Sequence, residues 1–380
     1  MSDILVARRM LLGAGLGALG TAGLAQRKSE RLTMVLLGQS LIQENLCARP
    51  WPGLIAIERR LRRADTVFTD LETAVSGPGA GLPTRDGEVF HAAGVDAVRC
   101  LKSIGVTLAA TSNNHAWDLG AGGIMLGVRT LDGLGVGHAG SGADLDAASQ
   151  PGWQHTAGGP VALVAGATGA IRVGGAATAT RPGVNELRMA KDGLDPTDVA
   201  RMLSSIAAAH KAGGAVIAYL HNHHWQPDPA ETPPWQRRFA RQCVDAGAAV
   251  FVSHGPPLLQ GAEIYRGAPL FHGLGSFIFQ TRKIGSAYSA ANWQSVLVEA
   301  RFADRRFSDA KLIPLALDNR RPPTDAFSGG TPTIVHGREG EAILEHFSSM
   351  SKHLGTHVEL RNDIGFLRAP RSRRDSVGRE

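Results

Sequence analysis

The sequence has few cysteines, few aromatic residues and few charged residues for its length. Of 380 residues, 3 are cysteine, 6% are aromatic and 19% are charged. Cys47, Cys100 and Cys243 are an odd set without a C-x-x-C spacing, so neither a cysteine zinc site nor a disulfide framework is predicted. We interpret them as buried free thiols. The 43% of hydrophobic residues and the 47 glycines describe an ordered globular protein.

The net positive charge of the body of the chain is also small, although the net charge of the whole sequence is +6. Residues 1–25 contribute +1 and residues 368–380 contribute +3, which leaves +2 for the remainder. The sequence has no basic stripe with interleaved aromatic residues. Nucleic-acid binding is therefore not predicted.

The first 25 residues are typical of an export signal. Arg8 and Arg9 precede a short apolar stretch, MLLGAGLGALGTAGLA, that ends in small residues. The paired arginines favour the twin-arginine route, with cleavage near Ala25 and a periplasmic or extracellular protein. The alternative is a terminal helix that stays attached to a cytoplasmic protein. No later stretch is apolar for long enough to predict a transmembrane span.

A polar motif at residues 106–123, VTLAATSNNHAWDLGAGG, organises the rest of the chain. Its first five residues predict a buried strand, and its glycines precede a helix predicted over about 124–134. Asn114 offers an amide oxygen, His115 a titratable imidazole, and Asp118 a carboxylate that could orient that imidazole. Turn formation by the two asparagines is the alternative interpretation.

Two other predicted strands end in groups that suit a metal ion. A strand at 65–69 leads to Asp70 and Glu72, whose side chains at i and i+2 point the same way, and a cation would relieve their repulsion. A strand at 215–220 leads to His221, His223 and His224, a typical metal-ligand cluster. The alternative is a carboxylate cap and a loop of solvent-exposed histidines.

Polar groups follow five predicted strands in all. Carboxylate, amide and imidazole together suit a divalent cation such as Mn, Zn, Fe or Ca. Open α/β sheets bind ligands at the carboxyl ends of their strands, so these groups are expected to converge. The candidates are Gln39, Asp70 and Glu72, Asn114 and His115, His221 and His223, and His254.

Five blocks spread over residues 32–300 resemble the CapA-type (poly-γ-glutamate capsule) branch of the calcineurin-like metallophosphatase-fold superfamily. The blocks are ADTVFTDLE (64–72), NNHAWDLG (113–120), YLHNHHW (219–225), DAGAAVFVSHGPPLLQGAE (245–263) and HGLGSFIF (272–279). The resemblance implies an α/β fold, a four-layer α/β/β/α sandwich with metals at the strand ends.

The resemblance also implies roles for individual residues. The implied metal ligands are Glu72, Asn114, His221 and His254. His115 would be the general acid or base and Asp118 its orienting partner. We expect His223 to be a further catalytic group or, like Asp70 and Gln39, to complete the metal site or support its ligands.

The sequence departs from the family pattern at the metal positions. Gln39 stands where the family has aspartate, Asp70 where it has asparagine, and Gly255 and Pro257 where further histidines are usual. One divalent cation is therefore expected to bind tightly, while a second site is weak or absent.

The expected organisation has five parts. They are an export signal at 1–25, a CapA-like domain at 32–318, a Pro/Gly-rich linker at 319–334, an extension at 335–367 and a disordered basic tail at 368–380. The extension is predicted to contain a helix over 339–353 that packs on the body through Ile343, Leu344 and Phe347.

Three functions agree with these observations. The first is an exported metal-dependent hydrolase of amide or ester bonds, acting on a peptide-like or poly-γ-glutamate-like polymer or on a small substrate, with His115 as general acid or base. The second is a metal-dependent isomerase or epimerase in which two histidines move protons. The third is a non-enzymatic protein that retains a capsule polymer. The oligomeric state is left open.

Overall fold

The structure, a computed structural model, describes residues 31–87, 90–225, 227–281, 288–319 and 329–370. Two large sheets pack face to face and helices cover both outer faces. The predicted four-layer α/β/β/α sandwich is confirmed. The predicted export signal, 1–25, lies outside the described residues, as does 371–380 of the predicted tail. No helix in the described part of the chain is long and apolar enough to cross a membrane.

The first sheet has its strands in the order β21-β22-β19-β18-β1-β2-β5-β6, with β17 beside β1 and β20 beside β19. Its strands are β1 (Arg31–Leu41), β2 (Thr66–Leu71), β5 (Leu108–Ala110), β6 (Gly137–Ala139), β17 (Ser276–Phe279), β18 (Gln294–Ala303), β19 (Arg306–Leu317), β20 (Pro332–Ile334), β21 (Glu359–Arg361) and β22 (Ile364–Arg368).

The second sheet has the order β15-β16-β14-β13-β9-β8. Its strands are β8 (Gly152–Thr156), β9 (Gly159–Thr168), β13 (Ala215–Asn222), β14 (Ala248–His254), β15 (Leu259–Tyr265) and β16 (Ala268–Leu274). Three short pairs, β3–β4, β7–β10 and β11–β12, lie outside the two sheets. Their strands are β3 (Ala74–Ser76), β4 (Ala92–Gly94), β7 (Ser141–Gly142), β10 (Gly183–Val184), β11 (Met189–Ala190) and β12 (Gly193–Leu194).

The helices divide between the two outer faces. The described helices are α1 (Leu54–Leu61), α2 (Val95–Ile104), α3 (Gly120–Gly133), α4 (Leu145–Ser149), α5 (Pro196–Lys211), α6 (Pro234–Asp245) and α7 (Gly337–His353). Helices α1, α2 and α3 cover the first sheet, and α5 and α6 cover the second. These helices agree with the apolar periodicity of their segments to within a few residues at each end.

The protein has three apolar layers, one between the sheets and one beneath the helices on each outer face. The alternation of side chains along each strand explains them. On β1, Met34 and Leu36 enter the core between the sheets, whereas Val35 and Leu37 enter the core beneath the first helical layer. Successive side chains of a strand point to opposite faces, so a continuous apolar run is typical of a strand that is covered on both sides.

The C-terminal part of the chain differs from the organisation expected from the sequence. Strand β20 lies within the expected linker at 319–334 and pairs with β19. Beyond α7, β22 also pairs with β19, and Arg368, expected in the tail, is its last residue. Turn chemistry obscured these strands, because β20 is short and begins with a proline, and β22 directly follows a turn at Asn362 and Asp363. The first sheet is therefore completed by residues outside 32–318.

Helix α7 closes one side of the space between the sheets. It packs against β15 and β19, and Ile343, Leu344 and Phe347 are buried in the core shared by both sheets. These three side chains lie at i, i+1 and i+4, on one stripe of the helix.

Cys47 and Cys100 form a disulfide bond, so the interpretation of three free thiols is wrong. The bond joins the turn after β1 to α2, across 53 residues of sequence. That pairing depends on tertiary structure and leaves no local spacing signal. Cys243 is free and buried, as expected, and burial raises the pKa of its thiol.

Reduction of this disulfide should lower the free energy of unfolding by about 4 kcal/mol, because the bond closes a long loop in the unfolded chain. Denaturant unfolding with and without reductant measures the change, and Cys47→Ser should make the protein insensitive to reductant. Thiol titration of the unfolded, unreduced protein should count one cysteine. A count of three would show that the bond is absent.

Candidate metal and acid–base site

The residues of the candidate site continue the inward-facing series of two strands, one from each sheet. On β2, Phe68 belongs to the core between the sheets, and Asp70 and Glu72 follow it at intervals of two. On β13, Tyr219 belongs to the same core and His221 follows it. Because side chains two apart share a face, each strand delivers polar groups to the space between the sheets.

Glu72, His221 and His223 each place a ligand atom within 4.8 Å of the others. Oε1 of Glu72 lies 3.7 Å from Nε2 of His221, and Oδ1 of Asn114 lies 2.9 Å from the same nitrogen. We call these four residues the donor group. Three of them are implied metal ligands, whereas His223 was predicted as a catalytic residue and lies here among the donors.

Asp70 faces the other nitrogen of the same imidazole. Its Oδ2 lies 3.1 Å from Nδ1 of His221, and its Oδ1 accepts a hydrogen bond of 3.0 Å from Nδ2 of Asn113. A carboxylate on the distal nitrogen fixes the tautomer and orientation of a metal-binding histidine. The structure thus places Asp70 behind His221 rather than within the donor group.

His254 ends β14 and pairs with His221 in the register of the second sheet. Its ring lies 5.5 Å from that of Tyr219, and it does not belong to the group of mutually close donor atoms. Gln39 supports this strand end, because its Oε1 accepts a 3.2 Å hydrogen bond from the backbone N–H of Gly255. A register shift beside Gln39 in β1 moves it off the regular alternation of that strand.

His115 and Asp118 form the pair expected from the sequence. Nδ1 of His115 lies 2.9 Å from Oδ2 of Asp118, and Nε2 lies 4.0 Å from Oε1 of Glu72. Asp118 also forms an ion pair of 2.6 Å with Arg85 and accepts a hydrogen bond from the backbone N–H of His91. The carboxylate is thus held on both oxygens, and it fixes the ring with Nε2 turned toward the donor group.

Charges within the site strongly perturb its acids and imidazoles. Burial raises the pKa of Glu72 well above its usual range, and the carboxylates of Asp70 and Asp118 raise it further. Burial also raises the pKa of Asp118 to about 6, although Arg85 opposes the shift. The pKa of His223 is held well below its usual range, first by burial and then by neighbouring cationic groups. A cation bound here would favour the ionised carboxylates and the neutral imidazole, and would so relieve both the burial and the mutual repulsion of the acids.

The residues present fit a divalent metal ion. Oε2 of Glu72, Nε2 of His223 and both ring nitrogens of His254 are buried without a hydrogen-bond partner among the described residues. Buried polar atoms normally have hydrogen-bond partners. Several buried donor atoms without such a partner at adjoining strand ends are therefore typical of a metal site. Two or three imidazoles with one carboxylate and one amide oxygen suit Zn, Mn or Fe better than Ca.

Three residues of the site escaped prediction from the sequence. Arg85 lies in a glycine- and proline-rich loop, where no local pattern marks it. The ring of His91 lies 4.3 Å from that of His115, and its Nδ1 is 2.8 Å from Nε2 of Gln43. Asn113 belongs to the central motif, and its position beside the proposed ligand Asn114 was the only available signal.

Two stacked sheets, outer helices and a donor group at the strand ends define a four-layer α/β/β/α protein with a candidate metal site. More narrowly, residues 32–281 match the family described as bacterial capsule synthesis protein PGA_cap, and the chain belongs to that family.

Relatives of this chain carry related descriptions. The capsule biosynthesis protein CapA of Bacillus anthracis is 25% identical over 79% of this chain and 71% of its own length. The uncharacterized protein y4sH of Sinorhizobium fredii is 24% identical over 92% of this chain and 95% of its own length. Among solved structures, the Thermus thermophilus sulfate thiohydrolase SoxB aligns with a TM-score of 0.42 and 12% identity. That alignment covers 86% of this chain and 61% of SoxB.

Proposed function

We propose that the protein is an exported metal-dependent hydrolase that cleaves amide or ester bonds in a peptide-like or capsule-type polymer. The observation that carries the proposal is the His115–Asp118 pair, in which Nε2 of His115 lies 4.0 Å from Oε1 of Glu72 in the donor group. Membership of a capsule synthesis family supports a polymer as substrate. An acid–base pair next to a group of metal donors is what hydrolysis requires.

Glu72, Asn114, His221 and His223 would hold the cation, with His254 at the neighbouring strand end as a further ligand. When bound, the cation supplies Lewis acidity, which makes a water molecule a better nucleophile. Asp70 holds the ring of His221 in the ligating orientation from behind. We propose one tightly bound ion, because Gln39 is engaged with Gly255.

His115 supplies the proton transfer in this proposal. Asp118 binds Nδ1, so Nε2 is the atom that exchanges a proton with substrate. In hydrolysis, Nε2–H donates its proton to the departing nitrogen or oxygen, which leaves as an amine or an alcohol. Arg85 stabilises the ionised form of Asp118 and hence the protonated form of the ring.

The positions of the histidines favour hydrolysis over epimerisation. Epimerisation by two bases needs two imidazoles that are free to move protons. His223 lies among the donors rather than in the position of a second base, and His115 is held by Asp118 beside them. A product assay with a stereochemically defined oligo-γ-glutamate separates the two reactions, because hydrolysis shortens the chain and epimerisation leaves its length unchanged.

The disulfide supports export. Disulfides persist in oxidising compartments and are rare in the cytosol. The Cys47–Cys100 bond lies within the folded domain and therefore favours the periplasm or the cell exterior. Mass spectrometry of native protein should find the mature chain beginning near residue 26. Protein that begins at residue 1 or 2 in the cytoplasmic fraction would contradict the proposal.

Elemental analysis should find about one divalent ion per chain, and removal of the ion should destabilise the protein. A ligand that binds only the folded state stabilises it by about 4 kcal/mol at a thousandfold excess over its dissociation constant. Chelation should therefore lower the melting temperature and abolish hydrolysis, and Zn, Mn or Fe should restore both. If the purified protein neither contains nor takes up metal, the polymer-retention function is favoured instead.

A further inference from the structure

A cleft with three arginines opens at the ends of the strands that are remote from the candidate site. It has a volume of about 1060 Å³, and Gly214, Ala248 and Ala268, at the starts of β13, β14 and β16, line it. His221 lies six residues beyond Ala215, the first residue of β13. At about 3.3 Å per residue this separates the cleft from the donor group by about 20 Å.

The lining of this cleft is cationic. Arg266, Arg305 and Arg306 line it together with His210, and none of the described lining residues is acidic. Arg266 forms an exposed ion pair of 2.8 Å with Asp245. Arg305 donates a hydrogen bond to the backbone oxygen of His210, and no carboxylate of the described residues forms an ion pair with it. Such a cleft attracts anions from solution.

Two of these arginines occupy tight hairpin turns in the left-handed backbone region. Arg266 has a φ of 50° between β15 and β16, and Arg305 has a φ of 63° between β18 and β19. Glycine and asparagine are favoured at such positions, so turn formation alone does not explain arginine there. The turns hold both guanidinium groups on the rim of the cleft.

The cleft continues into a second groove of about 340 Å³, with Ile264 and Pro370 common to both. Arg368 lines the second groove, and its one acidic residue, Glu359, is paired with Arg361. The cleft and the second groove together are thus elongated, with arginine side chains along their length. In the sequence, three further arginines follow Pro370 at 371, 373 and 374.

We propose that this cleft binds a segment of an anionic polymer whose carboxylates are separated by methylene groups. Arg266, Arg305 and Arg306 would pair with carboxylates, and Ile264 and Pro370, which line both grooves, would contact the apolar part of the chain. A membrane surface is a poorer fit, because Phe307 is buried and the cleft is concave. The inference goes beyond the proposed function and shares with it only the choice of a carboxylate polymer.

Fluorescence anisotropy with labelled poly-γ-glutamate tests the proposal in the full chain. The triple variant Arg266→Gln, Arg305→Gln and Arg306→Gln should weaken binding about tenfold or more at low salt. The matched control replaces Arg59 of α1 and Arg62 and Arg63, which follow this helix, with glutamine. Those side chains are exposed and do not line the cleft, and one of them is also ion-paired. The control removes the same charge and should change affinity less than twofold.

The outcomes separate this cleft from the candidate site. Equal weakening by both triple variants would show that only net charge matters and would overturn the proposal. Unchanged binding of poly-γ-glutamate by the cleft variant would also overturn it. So would a cleft variant that loses only its binding to phosphatidylglycerol vesicles and keeps its affinity for the polymer. His221→Ala should leave cleft binding intact. If the cleft binds polymer but the protein never cleaves it, the proposed hydrolase function fails and this inference stands. If the protein cleaves polymer but the cleft does not bind it, this inference fails and the proposed function stands.

Discussion

Replacement of His221 with alanine should release the metal ion and abolish hydrolysis. His221 is fully buried, and its Nε2 lies 2.9 Å from Oδ1 of Asn114 and 3.7 Å from Oε1 of Glu72. Removal of the ring leaves those oxygens without their nitrogen partner, so metal affinity should fall by about a hundredfold or more. Metal titration by calorimetry and turnover of an oligo-γ-glutamate measure the two effects.

A second buried histidine of the same sheet provides the control. His272 on β16 is equally buried, but its carboxylate neighbour is Glu263, outside the donor group. His272→Ala should therefore lower thermal stability while metal binding and turnover persist. Asp70→Asn should give an intermediate result, since it weakens the group that orients His221, with a loss of metal affinity of about tenfold to a hundredfold. Full metal binding by His221→Ala would exclude His221 as a ligand.

The site residues at the ends of strands could be predicted, because side chains alternate between the two faces of a strand and this alternation continues for a residue or two beyond its end. Phe68 is an apolar core residue, and the same face continues into Asp70 and Glu72. The polar residue that follows an inward-facing apolar series must therefore lie between the sheets. The same argument holds for His221 after Tyr219.

The loop-borne part could not be predicted, because it depends on contacts between distant segments. Arg85 reaches Asp118 across 33 residues, and the disulfide joins Cys47 to Cys100 across 53. The sequence left open whether His223 is a metal ligand or a catalytic group, and the bend after β13 brings its ring within 5.0 Å of that of His221. Local patterns determine which face a strand side chain occupies, whereas loop geometry determines these pairings.

The arginine cleft could not be predicted from the sequence for the same reason, because it also depends on contacts between distant segments. Its three charges come from two hairpin turns, one at Arg266 and one at Arg305 and Arg306. Charge counting along the chain found a nearly neutral body, because acidic residues elsewhere offset these arginines. Only the fold shows that cationic groups gather at one end of the strands while the carboxylates Asp70, Glu72 and Asp118 gather near the other.

Replacement of His115 with alanine should leave the metal bound and lower turnover by about a hundredfold or more, the usual contribution of a general acid or base. Its ring binds Asp118 through Nδ1, and its Nε2 lies 4.0 Å from Glu72, so the donor group persists without it. Asp118→Asn should lower turnover as well, because the ring loses its ionised partner.

The two replacements together distinguish an enzyme from a binding protein. If His115→Ala keeps metal and loses turnover while His221→Ala loses both, the acid–base and metal functions reside on separate histidines. If His115→Ala releases the metal, His115 is a ligand and the proton must move through another group, with His223 the nearest imidazole of the donor group. If both variants retain capsule-related function in cells, chemistry at this site is not required, and the protein acts by retaining polymer.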